Sequence, residues 1–94
     1  MTPEERLYRG SRAKEIIESD AFQEAFSAIE AAVIDQWKTS PARDESGRQN
    51  LWQYLRLLEK VKLNLQTTME TGRLAQLDLN HKATLKDRLR AVIG

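Results

Sequence analysis

The chain has 94 residues, with 15 Lys and Arg against 14 Asp and Glu, one histidine and no cysteine. That length suits one domain with one modest core. The absence of cysteine excludes disulfides, thiolate metal sites and a cysteine nucleophile. The longest apolar run, Ala31 to Ile34, is far short of the ~20 residues of a membrane span. Charges run through the first twenty residues with no apolar stretch after them, unlike a secretory leader. The expectation is therefore a soluble, unexported protein with no membrane partner. Charge is balanced in total but divided along the chain. Met1 to Ser46 carries ten acids and six bases, and Gly47 to Gly94 four acids and nine bases. Halves of opposite sign suit helices packing on each other or on a neighbouring subunit, and a basic half can also attract phosphate.

Ala, Leu, Glu, Lys, Arg and Gln dominate and only three valines occur, so the fold class expected is all-α. Helix 1 begins at Thr2-Pro3-Glu4-Glu5, a capping hydroxyl followed by proline at the first helical position and Glu5 three residues after the cap. Leu7, Ala13, Ile16 and Ile17 form its thin apolar stripe. Gly10, in mid-helix, marks either a weak point or the close approach of another backbone. Helix 2 is expected to restart with Asp20 as cap and Gln23 three residues on. Its stripe of Phe22, Phe26, Ile29, Val33 and Trp37 has a clear helical period. Pro41 disfavours helix at Ser40, and either Asp44 or Ser46 can cap the helix that follows.

Helix 3 carries Leu51, Leu55, Leu58, Val61, Leu65 and Met69 on one face. Trp52, Tyr54, Leu57 and Leu63 widen its apolar surface beyond one stripe, so it is expected to meet partners on more than one side. Thr71-Gly72 reads as its C-cap. After an interruption at Asn80-His81, Thr84 is expected to cap a short last helix with Leu85, Leu89, Val92 and Ile93 on one side. These elements assemble into a small helical bundle. It is built on an antiparallel hairpin of helices 2 and 3, with helix 1 across it and residues 73–94 as a peripheral or partner-docked segment of a single domain, 1–94.

Catalytic chemistry is thinly supplied. His81 is the lone imidazole, no calcium loop or His-x-x-x-His pair is present, and Gly10, Gly47, Gly72 and Gly94 are isolated from any phosphate-loop pattern. The acid pairs Glu4-Glu5 and Asp44-Glu45 stand at helix starts, where the helix dipole accounts for them. No enzyme activity, cofactor or metal is expected. Trp37 and Trp52 flank the Ser40-Pro41 connection. The plain reading is an aromatic cluster pinning that corner, and the sharper one is a binding hot spot. Arg48, Arg56, Lys60 and Lys62 on helix 3, and Lys82, Lys86, Arg88 and Arg90 in the tail, read first as solvated faces and second as contacts to nucleic acid or an acidic partner. With Trp37, Trp52, Leu57 and Leu63, the residues Arg48, Arg56, Lys82, Lys86, Arg88 and Arg90 make up the candidate interaction set.

Several features in order, Arg9-Gly10, Phe22 and Phe26, Trp37–Ser40-Pro41–Asp44, Arg48-x-x-Leu51-Trp52-x-x-Leu55-x-x-Leu58 and Gly72-x-Leu74-Ala75, resemble short helical proteins encoded among the virion and packaging genes of tailed bacteriophages. The likeness spans about Arg9 to Ala75. It implies a virus-encoded protein in the host bacterial cytoplasm or the virion and carries over no catalytic residue. The function expected is a non-enzymatic, self-associating assembly or interaction protein whose partner is itself, a phage structural protein or a host protein. Two other classes remain open: a nucleic-acid-associated protein using the basic tail, and an inhibitor of a host enzyme or defence complex using Glu4, Glu5, Glu15 and Glu18 as a phosphate mimic.

Overall fold

In the computed structural model, which describes residues 1–93, three helices occupy nearly the whole chain: α1 (Pro3–Glu18), α2 (Asp20–Thr39) and α3 (Glu45–Ile93). Gly94 and the side chain of Ile93, expected on the apolar side of a last helix, lie outside the described residues. The start of α1 follows its sequence. Thr2 is extended and its hydroxyl accepts from the Glu5 N–H at 3.1 Å, with Pro3 opening the helix. At the next junction the cap is Ser19, one residue before the expected Asp20. Ser19 adopts φ −68°, ψ 124° and its Oγ accepts from the Phe22 N–H at 3.3 Å. Its own N–H still donates to the Ile16 carbonyl, so one residue ends α1 and starts α2. Asp20 instead supplies a carboxylate to the first turn of α2, favoured there by the dipole. Gln23 reaches back to the Ile17 carbonyl at 2.9 Å, satisfying an acceptor that the break exposes.

Of the two candidate caps for α3, Asp44 serves: its Oδ1 accepts from the Gly47 N–H at 3.1 Å. Gly47 leaves room for that carboxylate, which a side chain there would strike. Asp44→Ala should cost about 1 kcal/mol, read as a lower urea midpoint, whereas Ser46→Ala should be nearly silent.

The short C-terminal helix is overturned. α3 is one helix of 49 residues, passing through Thr71-Gly72 and Asn80-His81 without a break. Gly72 has no positive φ and is not a C-cap. An interior glycine costs about 1 kcal/mol, whereas ending a helix there strands up to four carbonyls and, at a restart, four N–H groups. No proline follows Pro41, and local side-chain bonds absorb the polar residues. Gln76 Nε2 donates to Asn80 Oδ1 at 2.8 Å, and Thr84 Oγ1 donates back to the Asn80 carbonyl at 3.0 Å rather than capping a new helix. Glu70 and Arg73 form an i,i+3 pair that holds the Glu70 carboxyl below its ordinary range through the hydrogen bond from Arg73. The pair's small stabilisation is therefore present above the ordinary carboxylate pKa and fades as acid drives the pH down through the lowered value.

Helix 1 does not lie across a helix 2–helix 3 hairpin. The most extensive helix pairing in the molecule is α1 with α3, and α2, after the break at Ser19, touches α3 more sparsely. Gly10 lies against Gly72, Lys62 reaches Glu30 at 3.7 Å, and Arg48 reaches Trp37, so rising numbers on α1 and α2 meet falling numbers on α3. At Gly10 and Gly72 the backbones nearly touch. A Cβ on Gly10 would stand 2.6 Å from the Gly72 Cα, and one on Gly72 would stand 2.7 Å from the Gly10 Cα. The buried residues around this crossing are small: Ala13 and Ala75 are 3% and 5% exposed. Farther along, Phe26 is the one large buried side chain among the described residues, 7% exposed.

The consequence is a rod. The molecule measures 77 × 24 × 16 Å with a radius of gyration of 21.3 Å. A compact domain of this length has a radius of about 12 Å. Its short dimension is little more than one helix with its side chains. It exposes 7556 Å², against about 5,500 Å² for a compact chain of its mass. At 1.5 Å per residue, α1 and α2 together reach about 54 Å and α3 about 73 Å. The excess of α3 is a bare overhang: every residue from Asn80 to Val92 is exposed.

Candidate interaction surfaces

The α2–α3 corner brings together four of the residues singled out in the sequence. α2 ends at Thr39, and Ser40 is extended, as Pro41 after it requires. This ending leaves carbonyls without helical partners. Arg48, one turn into α3, supplies them: its Nη1 donates to the Trp37 carbonyl at 3.1 Å, the Ser40 carbonyl at 3.3 Å and the Ser40 Oγ at 2.8 Å. Its guanidinium lies over the Trp37 ring, 4.3 Å from the centroid. Trp52 lies one turn farther on and carries Arg56 at 5.8 Å, while Arg56 also pairs with Glu59 at 3.1 Å. Trp37, Glu45, Arg48, Gln49 and Trp52 line one open hollow.

The corner is held by the Arg48 guanidinium rather than by a Trp37–Trp52 cluster: among the described residues the rings of Phe22 and Phe26 form the aromatic pair, and the bonds across the corner are those of Arg48. Arg48→Ala should destabilise the chain by about 1.5–3 kcal/mol in urea unfolding, the scale of hydrogen bonds from a charged donor. Arg48→Lys should recover only part of that, because an ammonium lacks the planar fork that stacks and donates at once. Trp52 remains half exposed.

Leu57 and Leu63 are 58% and 61% exposed and lie on different flanks of α3. On Leu57's flank stand two exposed apolar residues that the sequence reading left out of the interaction set, Tyr54 and Val61. Tyr54, Leu57 and Val61 step by three and four residues, so they form one face at about 100° per residue. Ile29 on α2, part of the apolar stripe from Phe22 to Trp37, is half exposed. The signal that could have found this flank was where α3's charges lie. Arg56, Glu59, Lys60, Lys62 and Glu70 all project from the rest of the helix circumference.

Lys82, Lys86, Arg88 and Arg90 all lie on the overhang, exposed, with Lys82 paired to Asp78 at 3.3 Å. Leu85, Leu89 and Val92 share the overhang and are exposed too. His81 is an exposed residue in mid-helix rather than at a helix end. Of the acidic residues, Glu4 and Glu5 occupy the first turn of α1, and Glu18 faces Lys14 at 4.0 Å. Among the described residues no group of three or more His, Asp or Glu is placed to hold a metal ion, and no helix is long and apolar enough to cross a membrane. Comparison with family models, with curated proteins and with solved structures finds no match, so the reading of these surfaces stands on their own chemistry.

Proposed function

We propose that this chain is a non-enzymatic helical interaction protein that works by associating with itself, as one layer of a larger helical assembly. The observation that carries the reading is its surface: 7556 Å² exposed, with a single large side chain buried among the described residues. Domains hold together by packing two layers around a shared core. A hairpin one helix thick provides one layer. The surplus over a compact chain, about 2,000 Å², exceeds the roughly 800 Å² that each partner gives to a standard stable interface. Exposed apolar residues span the rod from Ile16 to Val92, more than the isolated ones usual on a monomer. The resemblance to small proteins of phage virion and packaging genes gives such a unit a setting, construction of a particle in an infected bacterium. Thermal unfolding followed by circular dichroism tests the reading. If folding and association are linked, the midpoint rises by several degrees over a hundredfold increase in concentration. A midpoint independent of concentration argues against it.

A second reading draws on the overhang, where Lys82, Lys86, Arg88 and Arg90 stand on a free helix. A nucleic-acid contact made there weakens steeply with salt. Fluorescence anisotropy with a labelled duplex at low salt would show binding that a Lys86→Glu, Arg90→Glu variant loses. No binding at low salt removes this reading.

A further inference from the structure

We infer that the uncharged flank formed by Ile29 on α2 and Tyr54, Leu57 and Val61 on α3 is the surface on which a second copy of this chain docks, antiparallel, to complete a four-helix bundle. The inference rests on the self-association proposed above and names its face and geometry.

The four residues lie on one side of the hairpin. Lys62 of α3 reaches Glu30 of α2. Stepping back one residue on each helix, to Val61 and Ile29, turns both through about 100°. Two right-handed helices running in opposite directions turn in opposite senses when viewed along one axis. Val61 and Ile29 therefore rotate onto the same flank. Tyr54 and Leu57 share the Val61 face, and Ala25, Ala32 and Gln36 share that of Ile29. All four large side chains are well exposed, between 44% for Val61 and 58% for Leu57. Although 31% of the chain is charged, no charged residue of α2, or of α3 between Asn50 and Thr71, falls within this strip. The Glu30–Lys62 pair borders the other flank.

A second copy is the occupant that fits. A two-fold interface sets a surface against itself, so a charged patch meets like charge while a neutral one does not. The overhang fails this requirement, because Lys82, Lys86, Arg88 and Arg90 would face their own copies. The neutral strip meets it. The strip is backed by small side chains on α2, which let a neighbouring helix come close, and it lies on the thin face of a single-layer molecule. The surplus exposed area is comparable to each partner's share of an obligate dimer interface. The overhangs also set the orientation. Parallel hairpins would place two basic overhangs side by side, whereas antiparallel ones put them at opposite ends.

The test compares Leu57→Glu and Val61→Glu with Leu63→Glu and Leu89→Glu by sedimentation equilibrium. All four positions are exposed in the single chain, and circular dichroism checks that each variant stays helical. The expected result is a dimeric parent and dimeric controls, with self-affinity at least about 100-fold weaker for Leu57→Glu and Val61→Glu, the scale of an unpaired charge at an interface. With no native cysteine, Asn80→Cys carries a single spin label per chain. An antiparallel pair centred near residue 59 separates the two labels by about 60 Å. A dimer that survives both strip variants and dissociates with Leu63→Glu or Leu89→Glu overturns the assigned face while leaving self-association intact. A label separation below about 30 Å overturns the antiparallel arrangement. A parent that stays monomeric overturns this inference together with the reading beneath it.

Discussion

Replacing Gly72 by leucine is expected to detach α1 from α3. At this crossing there is no side chain on either helix to yield. A single Cβ on Gly72 would stand 2.7 Å from the Gly10 Cα and 3.0 Å from the Arg6 carbonyl oxygen, both backbone atoms of α1. Gly72→Ala already separates two opposing effects. Helix propensity alone favours alanine by about 1 kcal/mol, whereas overpacking costs typically 1–3 kcal/mol. Because the obstacle is backbone, packing is expected to win, and the net loss should lower the thermal midpoint by several degrees, at 4–8 °C per kcal/mol for a domain of this size. Gly72→Leu and Gly10→Leu should lose the α1 contact outright, leaving α1 susceptible to proteolysis while α3 keeps much of its helicity. If Gly72→Ala raised the midpoint, propensity would be the governing term and the close crossing would be wrong.

Phe26→Ala is expected to be the most damaging single truncation elsewhere in the chain. Phe26 is 7% exposed, rests 5.4 Å from the Phe22 ring and lies 5.1 Å below the Lys62 ammonium. Removing a buried phenylalanine costs about 3–5 kcal/mol, a large fraction of the 5–15 kcal/mol that holds a typical domain together. Few neighbouring side chains are buried here, so little else can take over its role. The expected drop in thermal midpoint exceeds about 12 °C. Leu63→Ala, at a position 61% exposed, should change stability by less than about 0.5 kcal/mol. Equal effects at the two positions would mean that Phe26 is not the anchor of the α2–α3 contact.

The contrast between these two sites shows which features local sequence encodes. The start of α1 was legible because Thr2, Pro3 and Glu5 act within one turn. The stripe from Phe22 to Trp37 was legible because one face of a helix repeats regularly. The cap at Ser19 was missed by one residue because serine and aspartate compete on nearly equal terms. The larger miss, the continuity of α3, arose where local and tertiary preferences conflict. Gly72 reads as a stop in isolation, yet together with Gly10 it lets α1 lie against α3 backbone to backbone. A partner more than sixty residues away in the chain leaves no local trace. Gly10 carried the hint, as a glycine where a helix has no use for one.

The interaction surfaces divide in the same way. Trp37 and Trp52 could be grouped from the sequence because they flank one short connection. Arg48, read with the solvated basic face of helix 3, could not, because its bonds to the Trp37 and Ser40 carbonyls depend on how the corner folds. The strip on Leu57's side could not, because whether Tyr54 and Val61 face a neighbour depends on which flank α2 occupies. Val61 shares its apolar face in the sequence with Leu58 and Leu65, yet it is 44% exposed, because α2 runs beside α3 on one line of contact only.

Self-association of this chain is decided by sedimentation equilibrium of the unmodified protein at micromolar concentration. A rod one helix thick that completes its core with its own copy should sediment with twice the 10.8 kDa chain mass. A mass of 10.8 kDa across the whole concentration range, from a chain that remains folded, would contradict it.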